Sequence, residues 1–378
     1  MMAGVRRRDF IKAIGSVAGL AAQPLLGFVA RAEPLFEPPT TGPLSAETVG
    51  ALLRQHNVPG ASLAIVQDAD IVATYAYGTA RGGSAVGPHT RFQAASISKT
   101  VNALGVLRLV QAGRVGLDDP VNRHLSSWQL PNNALTATTP VTIRMLLSHT
   151  GGTNVHGFGG YHRDAALPSV PAILNGRAPA NSPAVRVVKP PGQAVSYSGG
   201  GTMVLQQMVM DITGKSYGVA LAELVLKPLG MNESGFRQPP NDDALEHAAF
   251  AHGNNGAPMP RGFRLYPEQA AAGLWTTPRD LSKALIAIIR SHGGEPGSFL
   301  DQPLARAMLT PVLGDAGLGV FIGDRGGFAH GGVNAGFQAH YGGHPGRRLA
   351  RVVMTNGDRG GAICNELIKR ANDMYARI

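Results

Sequence analysis

The sequence predicts an α+β fold: a mostly antiparallel sheet flanked by helices, joined to a second, mainly helical lobe. Three observations carry this. Apolar runs of strand length lie near both ends of the 378-residue chain. The middle carries helical periodicity instead. In the last third, glycine-rich turns separate the apolar runs, which fits strands in one antiparallel sheet.

Taken in order, residues 33–44 are rich in proline and read as a linker. Ser45 is a candidate N-cap for a helix running to Gln55. Ala61–Val66 and Ile71–Tyr77 read as strands joined by a turn at Asp68-Ala69-Asp70. A long helical pattern starts near Ser96 and stops at Gly113. Val141–Leu147 and Thr202–Thr213 are further helices, the second closed by Gly214. Pro278–Arg290 is another, with proline at its first turn. Leu318–Ile322, Gly336–Tyr341 and Ala350–Thr355 read as strands, and Gly361–Arg377 as the last helix. Residues 45–92 and 262–378 are thus expected to form the sheet-containing lobe, and 93–261 the helical lobe, with a cleft between them. No repeat of fixed period is present.

The first residues read as an address. Arg7-Arg8-Asp9-Phe10-Ile11-Lys12 precedes an apolar run from Ala13 to Ala30, and Ala30-Arg31-Ala32 offers a small-residue cleavage site. Residues 1–32 are therefore expected to be a signal peptide of twin-arginine type. The run is broken by Gly15, Gly19, Pro24 and Gly27, which argues against a retained membrane span. The expected location is periplasmic or secreted.

Composition narrows the function. The formal charge is +10, of which +4 lies in residues 1–32, leaving +6. Lysine and arginine form no cluster after residue 32, so a nucleic-acid partner is not expected. Cys364 is the only cysteine, which excludes an intramolecular disulfide; its apolar neighbours suggest a buried thiol on a helix.

Chemistry concentrates at Ser96-Ile97-Ser98-Lys99, the only S-x-x-K in the chain. On a helix, positions i and i+3 share a face, so the lysine amine can reach the serine hydroxyl. Serine needs a base beside it to act as a nucleophile, and burial favours the neutral amine that could serve. A surface serine and lysine at a helix start would give the same letters. Two later features raise the motif above that. Tyr197-Ser198 sits between Pro190-Pro191-Gly192 and Gly199-Gly200-Gly201, where a tyrosine hydroxyl can project into a cleft. His330-Gly331-Gly332 follows an apparent edge strand, and its glycines allow a ligand close to the backbone.

In this order the three segments resemble the motifs of penicillin-recognising serine enzymes, above all the class C β-lactamase group with its D-peptidases, carboxylesterases and amide hydrolases. Leu146-Leu147-Ser148-His149-Thr150-Gly151-Gly152 and Ala272-Gly273-Leu274-Trp275-Thr276-Thr277-Pro278 fit the same group. The resemblance runs from about residue 45 to the end. It implies a β-lactamase/transpeptidase-like fold and an acyl-enzyme formed on Ser96. Lys99 is implied as proton acceptor, or as a group that tunes Tyr197; which of the two is the base stays open. Tyr197 would relay a proton to the leaving group. The N–H groups of Ser96 and Val333 would form the oxyanion hole, each such donor being worth about 3 kcal/mol. His330, Gly331, Gly332 and Gly199 would contact substrate. No cofactor and no metal are implied.

Two departures bear on substrate. The second motif of the family usually ends in asparagine, and Gly199 stands there. The third often begins with lysine, and here it begins with His330, largely neutral at pH 7. Both weaken recognition of an anionic penicillin-like substrate. The expectation is an exported serine hydrolase acting on a small ester, amide or D-peptide, with a β-lactamase or slowly turning-over penicillin-binding or sensor protein as the alternative.

Other signals are discounted. Gly214-Lys215-Ser216-Tyr217-Gly218 matches a nucleophile-elbow pattern, but a helix precedes it where a strand is needed, so Ser216 reads as an N-cap. Histidines 149, 156 and 162, and 330, 340 and 344, cluster without metal-ligand spacing on a helix.

Overall fold

A computed structural model describes residues 37–323 and 325–377, so the expected signal peptide and the start of the expected linker lie outside the described residues. Among the described residues, nine strands build two sheets: β1 (Gly60–Gln67), β2 (Asp70–Arg81), β3 (Ser84–Ala85), β4 (Phe92–Gln93), β5 (Trp275–Thr276), β6 (Phe321–Ile322), β7 (Phe328–Asn334), β8 (Phe337–His344) and β9 (Leu349–Thr355). The large sheet is antiparallel throughout, in the order β3-β2-β1-β9-β8-β7-β6. Its centre joins the two ends of the chain, with Leu63 opposite Val353. β4 and β5 pair separately, Phe92 against Thr276.

The β1–β2 connection is a two-residue turn in which Asp68 and Ala69 both take positive φ (51° and 55°). That left-handed pair matches the twist of an antiparallel hairpin. β1 is apolar without alternation because both of its faces are covered. Leu63 and Ile65 pack with Val49, Leu53, Ile363, Cys364 and Leu367 of the Ala46–Gln55 and Gly360–Met374 helices. Ala64 and Val66 belong instead to the larger core, with Leu281, Leu285 and Ile288 of the Pro278–Gly293 helix. Cys364 is a free, buried thiol on its helix.

Helix signals are read at their ends. The Ser45 hydroxyl accepts from the Thr48 N–H at 3.3 Å, and Thr277 caps the helix that Pro278 begins. Two expectations need correcting. The expected linker is docked at its end: Leu44 is fully buried, and its carbonyl accepts from the Tyr77 hydroxyl at 2.9 Å. The helix expected from Thr202 starts earlier, at Gly199, with Ser198 as its cap. Its glycines read locally as a loop, yet they pack tightly: a Cβ on Gly200 would sit 2.6 Å from the Asn154 carbonyl oxygen.

At the C-terminal side, the expected strand Leu318–Ile322 is reduced to Phe321–Ile322. His330-Gly331-Gly332, expected to follow a strand, lies inside β7. Ser216 precedes the Tyr217–Leu221 helix, as its sequence context suggested. Among the described residues, no helix is long and apolar enough to cross a membrane.

Candidate active site

Ser96 sits at a sharp junction. Ala95 takes φ +49°, a costly value for a residue with a Cβ. A short 3-10 turn, Ala95–Ile97, then leads into the helix Ser98–Gln111. The expected helix start is therefore a strained turn, with Ser96 only partly covered. Its neighbour Ser98 is structural instead. It is fully buried, donates to the Ala95 carbonyl at 2.6 Å and accepts from the Leu274 N–H at 3.0 Å. Through that second bond, the Ala272–Pro278 segment holds the turn in place; the Ala94 N–H returns to the Leu274 carbonyl at 2.9 Å.

Lys99 reaches back one turn. Its Nζ lies 3.1 Å from Ser96 Oγ and 2.8 Å from the Ala271 carbonyl oxygen. The side chain is 4% exposed with no carboxylate partner among the described residues, and burial lowers its pKa from 10.5 to about 7. Tyr197, just ahead of the Ser198 cap of the Gly199–Thr213 helix, closes the group. Its ring centroid lies 4.9 Å from Lys99 Nζ, and burial pushes its phenol up to about 12, a rise that the neighbouring Ser96 hydroxyl partly offsets. The structure thus brings Ser96, Lys99 and Tyr197 together.

The Tyr197 ring is held among other rings. His149 lies 4.4 Å away between centroids and His156 4.9 Å, with Phe321 and His330 each at 6.2 Å. His149 itself has φ +57° and accepts from the Ser198 N–H at Nδ1, at 3.3 Å. That bond pins the start of the Gly199–Thr213 helix beneath Tyr197. Burial holds His149 well below the usual imidazole range, so it stays neutral.

The third motif runs along β7. His330 is buried, and burial together with the Lys99 charge lowers its pKa to about 3. Its Nδ1 donates to the Gly331 carbonyl at 2.7 Å, so Nε2 carries the lone pair. Gly332 packs against the nucleophile's turn: a Cβ there would lie 2.2 Å from the Ala94 carbonyl oxygen and 3.1 Å from the Ser96 nitrogen. Gly331 and the 68%-exposed Val333 face the open side.

These residues line one cleft of about 370 Å³, completed by His156, Gly157, Phe158, Ala271, Ala272, Phe321 and Asn334. Among the described residues, no Asp, Glu or Arg lines it, and Lys99 is its only Lys. Two expected substrate contacts are corrected. Gly332 is not part of the lining; it lets β7 approach the Ser96 amide. Gly199 is buried below the His156–Phe158 loop, donating its N–H to the His156 carbonyl at 3.1 Å. A Cβ on Gly199 would meet Phe158 at 2.9 Å, so the loop fills the space a side chain would need. The glycine-rich loop from Gly157 to Tyr161, which sequence reading marks as a candidate cleft wall, supplies Gly157 and Phe158; local reading missed Ala271, Phe321 and Asn334. A carbonyl acceptor carries no sequence signal, and the others reach the cleft only through long-range packing. Among the described residues, no group of three or more His, Cys, Asp or Glu is placed to hold a metal.

Comparisons with known proteins identify the family. The family model described as Beta-lactamase matches residues 46–372. Protein flp of Staphylococcus aureus (strain MRSA252) is 26% identical over 212 residues, covering 54% of this chain and 40% of that protein. Penicillin-binding protein 4 of Amycolatopsis lactamdurans is 33% identical over 194 residues, covering 50% of this chain and 47% of that protein. The chain thus spans less than half the length of these two curated relatives. EstCE1, described as a hydrolase with promiscuous acyltransferase activity, superposes with a TM-score of 0.69 at 20% identity, covering 88% of this chain and 97% of its own.

Proposed function

Because this chain belongs to the beta-lactamase family, within the serine hydrolase superfamily, we propose that it hydrolyses small uncharged esters or amides through an acyl-enzyme on Ser96. One observation carries the reading: a buried lysine amine, with no carboxylate partner among the described residues, 3.1 Å from a partly accessible serine hydroxyl. With a pKa near 7, a large fraction of Lys99 is neutral at physiological pH. Its amine donates one hydrogen to the Ala271 carbonyl and keeps a lone pair for the Ser96 proton.

In the proposed sequence, the Ser96 proton passes to Lys99 Nζ as Oγ bonds to the substrate carbonyl carbon. The carbonyl electron pair moves to oxygen, which the N–H groups of Ser96 and Val333 are proposed to receive. The approach of Gly332 to the Ser96 amide supports that assignment. Collapse expels the alcohol or amine, which takes a proton from the Tyr197 hydroxyl; the Lys99 ammonium then reprotonates the phenolate. Water repeats the attack on the Ser96 ester, and Ser96 leaves with a proton. The opposite shifts of Lys99 and Tyr197 favour lysine as base and tyrosine as neutral donor. Neutral His330 and a cleft with no arginine among its described lining residues favour an uncharged substrate over a β-lactam carboxylate.

A fluorophosphonate probe tests the nucleophile. Intact-mass measurement is expected to show one adduct on the wild type and none on Ser96→Ala; equal labelling of both ends the proposal. A panel of p-nitrophenyl esters, D-amino acid amides and nitrocefin then ranks substrates. Nitrocefin turnover faster than ester turnover would favour the β-lactamase reading. We further propose export directed by residues 1–32, motivated by Arg7-Arg8 and the apolar run that follows. Cell fractionation that finds the protein only in the cytosol would refute it.

A further inference from the structure

We infer that Asn334 determines substrate specificity, its side-chain oxygen accepting a hydrogen bond from an N–H or O–H group near the scissile carbonyl of the substrate. This rests on the hydrolase reading above and adds a chemical class to it: an acyl group bearing a hydrogen-bond donor, such as an N-acylamino acid ester.

The orientation of the Asn334 carboxamide follows from its neighbours. Its Nδ2 donates to Gln93 Oε1 at 2.7 Å and to the Ala272 carbonyl oxygen at 3.1 Å. Gln93 is itself fixed, because its Nε2 donates to the Arg264 carbonyl oxygen at 2.8 Å. The chain of bonds is thus pinned at both ends by backbone carbonyls, which can only accept. Turning either amide over would set oxygen against oxygen. Both Asn334 N–H groups are consumed, and Oδ1 is the atom left over.

That oxygen has no described protein partner, and it is absent from the orphaned polar atoms sealed away from solvent, a group that includes His330 Nε2. Asn334 is only 4% exposed, and it lines the catalytic cleft. The small exposed part of its side chain therefore opens there. Its place on β7 fits the role. His330, Gly332 and Asn334 share the buried face of the strand, while Gly331 and Val333 share the other. Gly332 lies against the Ser96 amide, so Asn334 stands one strand repeat, roughly 7 Å, beyond that point. A buried acceptor discriminates strongly, because a substrate lacking the donor leaves it unpaired.

The test compares two esters of similar shape: the p-nitrophenyl esters of N-acetylglycine, which has the N–H, and of levulinic acid, which has CH₂ in its place. Rates are normalised to uncatalysed hydrolysis. The full-length wild type is expected to favour the N-acetylglycine ester by about tenfold or more in kcat/KM. Asn334→Ala is expected to bring that ratio near one; because both esters are measured on the same variant, any general loss from freeing the Gln93 and Ala272 acceptors cancels in the ratio, and fluorophosphonate labelling shows that Ser96 is still reactive. A wild type that does not discriminate overturns the assignment without any variant. An unchanged ratio in Asn334→Ala overturns it too. Absence of fluorophosphonate labelling in the wild type sinks the hydrolase reading instead.

Discussion

Replacing Lys99 by methionine should stabilise the protein while abolishing turnover, and the stabilisation should depend on pH. Methionine keeps the length of the buried stem and removes the group that must shed a proton on folding. Burial lowers the Lys99 pKa from 10.5 to about 7. Between those values the unfolded chain holds a proton that the native state does not, so wild-type stability rises with pH across this window. The linkage relation gives a penalty of about 4 kcal/mol at pH 7, about 2 kcal/mol at pH 9 and close to zero at pH 11. Losing the contacts to Ser96 and Ala271 offsets part of the gain from Lys99→Met, but that offset is the same at each pH once the wild-type amine is neutral. The measured quantity is therefore the difference between variant and wild type in urea unfolding at two pH values. It should shrink by about 2 kcal/mol from pH 7 to pH 9. A difference that stays constant would mean that Lys99 titrates normally, and the neutral-base mechanism would fall with it.

The same shift sets the activity profile: kcat/KM for an uncharged ester should rise with pH to a plateau, with an apparent pKa near 7. His330→Gln should leave that limb in place because His330 is already neutral there, so a displaced limb would assign it to the histidine. Gly332→Ala would put a Cβ 2.2 Å from the Ala94 carbonyl oxygen and force β7 off the Ser96 amide. Its kcat should fall about 10²–10³-fold, the loss expected of one oxyanion donor; a near-wild-type kcat would refute the placement. Gly199→Asn restores the letter usual in the family, but its side chain collides with Phe158. Thermal or urea unfolding should report a loss of about 1–3 kcal/mol, and nitrocefin turnover should not improve.

What could be read from the residues in order is local. Ser96 and Lys99 are one helical turn apart, and their side chains meet because that spacing is a property of the backbone. Ser45, Thr277 and Gly214 mark helix ends for similarly local reasons, in capping bonds and left-handed closure. The apolar runs at both ends of the chain marked β1, β2, β8 and β9. Where glycine dominated, local reading failed. The Gly199-Gly200-Gly201 run is helical, and His330-Gly331-Gly332 is inside a strand, because neighbouring segments crowd those backbones.

The chemistry of the site came from the assembled fold. The Lys99 amine becomes a neutral base because packing removes water around it and supplies the Ala271 carbonyl, 172 residues away. Gly199 reads in the sequence as a missing side chain; in the fold the His156–Phe158 loop fills that space. The Asn334 oxygen turns to the cleft because Gln93 and Ala272 take both of its hydrogens. Desolvation and long-range hydrogen bonding arise only once the core is packed, so no window of neighbouring residues contains them.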